Sequence, residues 1–153
     1  MLASIENSAI AQWVSQSLWA FPIVLTLHAF GMAACIGMSW MLGARAVGFA
    51  RAVPVEQLGR FMVFGWLGAV VAAGSGLLLF IGQATHYAAN PAFRLKIVLI
   101  VAALAATVVL TRLLRADGEA RRAQLCAGLS AALWLAALVA GRMVGYVETG
   151  GGG

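Results

Sequence analysis

Between Trp19 and Arg45 the chain passes 25 residues, 20–44, without a charged side chain. A helix of that length, rising 1.5 Å per residue, crosses a hydrocarbon layer of about 30 Å. Pro22 falls in the first turn, where its missing N–H costs nothing. Composition closes off the soluble alternative. Of 153 residues, 63% are hydrophobic and only 10% charged, with mean hydropathy +0.95, whereas soluble domains carry about 25% charged residues. A single domain of this size has no core large enough to hide so much apolar surface.

Three further apolar stretches follow, about 61–83, 91–114 and 123–146. The third opens on Asn90-Pro91, a side-chain cap followed by a first-turn proline, and closes near Arg112 or Arg115. The polar sequence RADGEARR divides it from the fourth. The expected fold is therefore all-α: an integral membrane four-helix bundle, up-down-up-down, forming one transmembrane domain over 1–153. Residues 1–18 lack the basic start of a signal peptide. They read as a short interfacial helix, with Ile5, Ala9, Trp13 and Leu18 on one side and Trp13 and Trp19 at headgroup level. The glycine-rich tail 148–153 reads as a flexible extension.

Arginines set the expected orientation. Arg45, Arg51 and Arg60 lie in the first connector and Arg112, Arg115, Arg121 and Arg122 in the third, against Arg94, Lys96 and Arg142 at the opposite ends. By the positive-inside bias these connectors face the cytoplasm, which puts both termini in the periplasm of a Gram-negative cell and the protein in its inner membrane. The net charge of +5 is scattered over helix ends rather than gathered in a stripe, so nucleic acid is not an expected partner. Cys35 and Cys126 sit in apolar runs with no CxxC spacing, which implies neither a disulfide framework nor a zinc site. No HExxH, GxSxG or phosphate loop occurs, and no Asp or Glu falls within a span. Hydrolysis and a carboxylate proton relay are both unsupported.

What remains is His28, six residues beyond Pro22 and so about 9 Å along the first span. An ionisable ring at that depth marks a functional candidate. Counting eight residues in from the ends of the first two spans sets His28 opposite Ser75, the centre of Gly74-Ser75-Gly76. Such small residues let helices approach closely or leave room for a flat cofactor. On the same side lie His86, Tyr87, Arg94, Lys96 and Arg142, with Glu6 and Glu148 as the only carboxylates. The cations pair with lipid phosphate or hold the carboxylates of a ligand such as haem, with His28 on the iron. Met32 and Cys35 follow His28 on one face and offer soft sulfur for copper, or serve as packing. His86 stands on the order of 13 Å from the level of His28, which argues against a bis-histidine haem. A sixth ligand would then be Met143, a second copy's His28, or nothing.

The runs WAFPIVLTLHAFGM, GSGLLLF followed by YAANPAFRLK, and WLAALVAGRMVGY resemble a group of bacterial four-helix membrane proteins known only as a domain of unknown function. More distantly they resemble copper-resistance D-type proteins and small b-type cytochromes. The resemblance spans roughly residues 15–147, most specifically NPAFRLK and the TLH element. It implies the four-helix fold and singles out His28, Arg94, Lys96 and Arg142. Relatives often carry Glu where this chain has Leu25, and His near Thr111, and both departures speak against a proton or second-haem role here. Three readings follow: a haem b electron-transfer component with a redox partner, a cofactor-free anchor or scaffold, and a copper-handling protein using His28, Met32 and Cys35. Self-association is open in each.

Overall fold

The computed structural model describes residues 2–49, 54–116 and 119–147. Arg51, Glu148 and the tail 148–153 lie outside the described residues. Among the described residues there are seven helices and no strand: α1 (Leu2–Glu6), α2 (Ala9–Gln16), α3 (Ala20–Ala46), α4 (Val55–Gly82), α5 (Ala84–Ala89), α6 (Pro91–Arg115) and α7 (Ala120–Val147). Four of these, α3, α4, α6 and α7, are long and apolar enough to cross a bilayer. The protein is a multi-pass integral membrane protein with an all-α four-helix bundle.

Local chemistry explains the ends. Ser17 Oγ accepts from Ala20 N at 3.3 Å and starts α3. Gly48, at φ 96°, stops it in a Schellman turn in which Phe49 N donates to Ala44 O at 2.9 Å. Asn90 Oδ1 caps α6 through Ala92 N at 2.9 Å, while its Nδ2 donates to Val144 O at 3.2 Å and ties the start of α6 to the end of α7. The N-terminal segment is two helices rather than one, because Ser8 caps a fresh start at α2. Its buried face is Ala11 and Val14, and Trp13 and Leu18 point outward. The stretch after α4 is also helical. Glu6 reaches across to cap α5, accepting from Thr85 N at 2.8 Å and Thr85 Oγ1 at 2.9 Å. Glu6, one of the two carboxylates read on the side of Arg94, Lys96 and Arg142, is therefore engaged with α5.

Side-chain size is sorted from inside to outside. Ala103, Ala106, Ala127, Ala137 and Ala140 are buried, whereas Phe30, Phe64, Val70, Val101 and Val139 face outward. Lipid competes with large apolar side chains but not with close backbone approach, so small residues collect between helices. The tightest seam joins α3 to α4. A Cβ on Gly31 would stand 2.6 Å from Ala72 N, and one on Gly68 would stand 2.8 Å from Gly31 O. The α6–α7 hairpin is a second close pair, and α3 joins the two hairpins by packing on α7 and more lightly on α6. By contrast α4 and α6 do not form a seam along their length. They meet at one end through the stacked ring pair Phe80–Phe93, centroids 5.6 Å apart, and at the other where Arg115 reaches Met62 Sδ at 3.8 Å and Leu58 and Leu110 share a cluster. The bundle is closed on three sides and splayed on the fourth.

Candidate functional site

The hydrogen bonds between helices fix two polar levels in the bundle. His28, Lys96 and Gly141 stand eleven residues from Ser39, Thr107 and Ser130 on α3, α6 and α7 respectively. Eleven residues are three helical turns, so each pair shares a face, with a separation of about 16 Å. The deeper level is a buried hydroxyl triangle. Ser39 Oγ lies 3.0 Å from Thr107 Oγ1 and 2.9 Å from Ser130 Oγ, and the last two are 3.1 Å apart. Thr107 donates to Ala103 O at 2.8 Å, and Trp134 Nε1 donates to Thr107 Oγ1 at 3.3 Å. Every polar atom there has a partner. Beyond it, Met38, Leu42, Leu58, Leu110 and Ala127 seal the far end with an apolar plug.

The upper level holds His28. Its Nδ1 lies 2.9 Å from Ala72 O and 3.3 Å from Ser75 Oγ. Ser75 already gives its own proton to Val71 O, and a carbonyl only accepts. Nδ1 must therefore carry the proton, which leaves Nε2 of the neutral ring with a free lone pair. Gly76 provides the space: a Cβ there would stand 3.0 Å from His28 Cε1. The ring is held by its α4 edge.

Between the two levels runs a cavity of about 590 Å³, within the 300–1,000 Å³ range typical of small-molecule sites. His28, Met32 and Cys35 line it from α3, with Ala72 and Gly76 from α4 and Lys96 from α6. Trp134 forms its floor, and Phe80, Tyr87 and Phe93 form its roof. The roof rings touch one another, Tyr87 and Phe93 with centroids 5.3 Å apart. Lys96 sits one turn below Phe93, its chain against Gly141, and among the described residues it forms no ion pair.

The remaining sequence candidates stand apart. Arg94 is exposed, its Nε donating to Ala88 O at 2.9 Å. Arg142 is exposed over the Tyr146 ring, 5.5 Å from the centroid. Neither lines the cavity, nor do His86 and the exposed Met143. Gly74 faces outward with open space beside it, so Gly74-Ser75-Gly76 divides into an outward glycine, a hydrogen-bonded serine and a cavity-lining glycine. Among the described residues, no three His, Cys, Asp or Glu side chains converge as a metal site. Sequence reasoning missed the hydroxyl triangle and the aromatic roof. The eleven-residue recurrence of polar residues on α3 and α6 was the available signal. No protein family model, curated protein or solved structure matches the chain.

Proposed function

We propose that the protein binds haem b inside the membrane, in the cavity between the two helical hairpins, and acts as a one-electron component beside a redox partner protein. The observation that carries this reading is the hydrogen bond from His28 Nδ1 to the Ala72 carbonyl. A backbone carbonyl on one ring nitrogen fixes the tautomer and orients the other nitrogen as a metal ligand. The chemistry of the donor set fits the group. His28 Nε2 would take the iron, the aromatic roof and the Trp134 floor would enclose the macrocycle, and Lys96 would answer a propionate carboxylate. Once bound, haem supplies a one-electron redox centre whose potential depends on its axial ligand and on burial.

The chain's own residues do the rest. Ala72 and Ser75 hold the imidazole in one orientation; Phe80, Tyr87 and Phe93 separate the site from the surface; the plug below Trp134 keeps water from the opposite side. Arg94 and Arg142, outside the cavity, pair with lipid phosphate. On this reading the chain sits in a bacterial inner membrane with the arginine-rich face of Arg45, Arg60, Arg112, Arg115, Arg121 and Arg122 in the cytoplasm, an orientation that the positive-inside bias supports.

Copper fits less well. His28 and Cys35 are seven residues apart, on the order of 10 Å along α3, too far for a short thiolate side chain and an imidazole to share one ion at bonds of about 2.0–2.3 Å. The experiment is haem and metal analysis of protein purified in mild detergent from a haem-supplemented host, alongside His28→Ala. One haem per chain, lost in His28→Ala while the protein stays folded, is the expected result. A colourless wild-type sample without iron removes the haem reading. Copper in that sample supports the copper reading, and no metal supports a cofactor-free scaffold in which His28 only bridges α3 and α4.

A further inference from the structure

The wall of the cavity is missing where α4 and α6 fail to meet. Of the residues that line it, Leu77 on α4 is 61% exposed, Ile97 on α6 is 44% exposed, and Leu25 on α3, one turn nearer the helix start than His28, is 46% exposed. Each faces the cavity and the surroundings of the bundle at once, and two of the three, Leu77 and Ile97, belong to the pair of helices that form no seam. At this depth the surroundings are acyl chains: Ile97 is six residues into α6, on the order of 9 Å from its start. Toward the surface, the contacts among Phe80, Tyr87 and Phe93 roof the site, and α5 is clasped over that end through Glu6 and Thr85. Toward the opposite surface the apolar plug closes it. Aromatic rings narrow the cavity at one end and the apolar plug closes the other, and lipid meets the cavity at its side.

From this geometry we infer that the ligand enters sideways from the bilayer, through the cleft between α4 and α6, in the leaflet that contains the helix ends at Ala20, Gly82, Pro91 and Val147. The inference rests on the haem reading of the site and adds the route. Charge supports it. An amphiphile with an apolar ring and carboxylates on one edge lies in a leaflet with its carboxylates toward the headgroups. The cavity presents Lys96 below the roof in that same half of the bundle, without a carboxylate partner among the described residues. A haem moving laterally out of this leaflet meets the lysine without turning over and without exposing its ring to water. Loading from water would have to pass the contacting rings of Phe80, Tyr87 and Phe93 at the outer end.

The test is stopped-flow transfer of haem from haem-loaded phosphatidylcholine vesicles to apoprotein in proteoliposomes, read at the Soret band. Leu77→Trp and Ile97→Trp narrow the cleft and are expected to slow uptake and release together, by about fivefold or more. Leu77→Ala widens it and is expected to speed both, so a misfolded tryptophan variant does not decide the matter alone. Val70→Trp, on the outward face of α4 and away from the cavity, is expected to leave both rates within about twofold of wild type, and Tyr87→Ala, which opens the roof, is expected to change uptake from vesicles less than Leu77→Ala does. Rates indifferent to Leu77 and Ile97 but raised by Tyr87→Ala overturn the lateral route in favour of entry from water. Wild-type protein that takes up no haem, from vesicles or from a soluble haem–albumin donor, overturns the haem reading itself and the route with it.

Discussion

At the scale of single residues, the site depends on who holds the proton. Ala72 O can only accept, so His28 Nδ1 donates and Nε2 is left for a ligand. Replacing Lys96 with Met keeps the length and removes the charge. On the haem reading, Lys96→Met is expected to weaken haem affinity about tenfold, roughly 1.4 kcal/mol, in an optical titration, whereas Arg94→Met outside the cavity leaves it unchanged. The hydroxyl triangle makes a different prediction. Thr107→Val leaves the Trp134 indole N–H without its acceptor, a loss of about 1–3 kcal/mol measurable by unfolding in mixed micelles. Ser130→Ala costs less, because Ser39 keeps Thr107 as a partner. How far these residues could be read from the sequence follows from their chemistry. A histidine is rare in a span and stands out, and counting from the span ends placed it against Ser75. Ser39, Thr107 and Ser130 did not stand out, because a hydroxyl in a helix is as easily satisfied by its own backbone as by a neighbour.

At the scale of helices, backbone proximity decides what can change. Gly68→Ala would push a methyl group to 2.6 Å from Ala34 Cβ and 2.8 Å from Gly31 O. Such overpacking costs about 1–3 kcal/mol or more, and the α3–α4 hairpin would have to separate, taking Ala72 away from His28. Gly74→Ala meets nothing within 4 Å and is expected to leave stability unchanged or slightly raised in the same unfolding assay. These outcomes differ although both glycines lie on α4, near the patch singled out for its small residues. Sequence pattern shows that small residues abound in the span, but it does not show which way each faces. The four spans were legible because each is a long apolar run bounded by arginine, proline or glycine. The break between α1 and α2 and the helical turn of α5 were not. Short helices draw their stability from tertiary partners, here Glu6 on Thr85, and residue 6 gives no local sign that it will cap residue 85.

At the scale of the whole molecule, the bundle is a cup rather than a channel. Small residues close three of its sides, leucines and a methionine seal one end, and the two hairpins part on the remaining side around His28 and Lys96. This shape suits the intramembrane ligand proposed above and gives no continuous polar path from face to face among the described residues. The central claim is that the His28 imidazole, through Nε2, ligates haem iron in that cup. Its most direct test is the reduced-minus-oxidised spectrum of His28→Gly, recorded without and with added imidazole. The account predicts that the b-type α-band is lost in His28→Gly and returns when imidazole occupies the space the ring has vacated. A band that persists in His28→Gly without imidazole would contradict it.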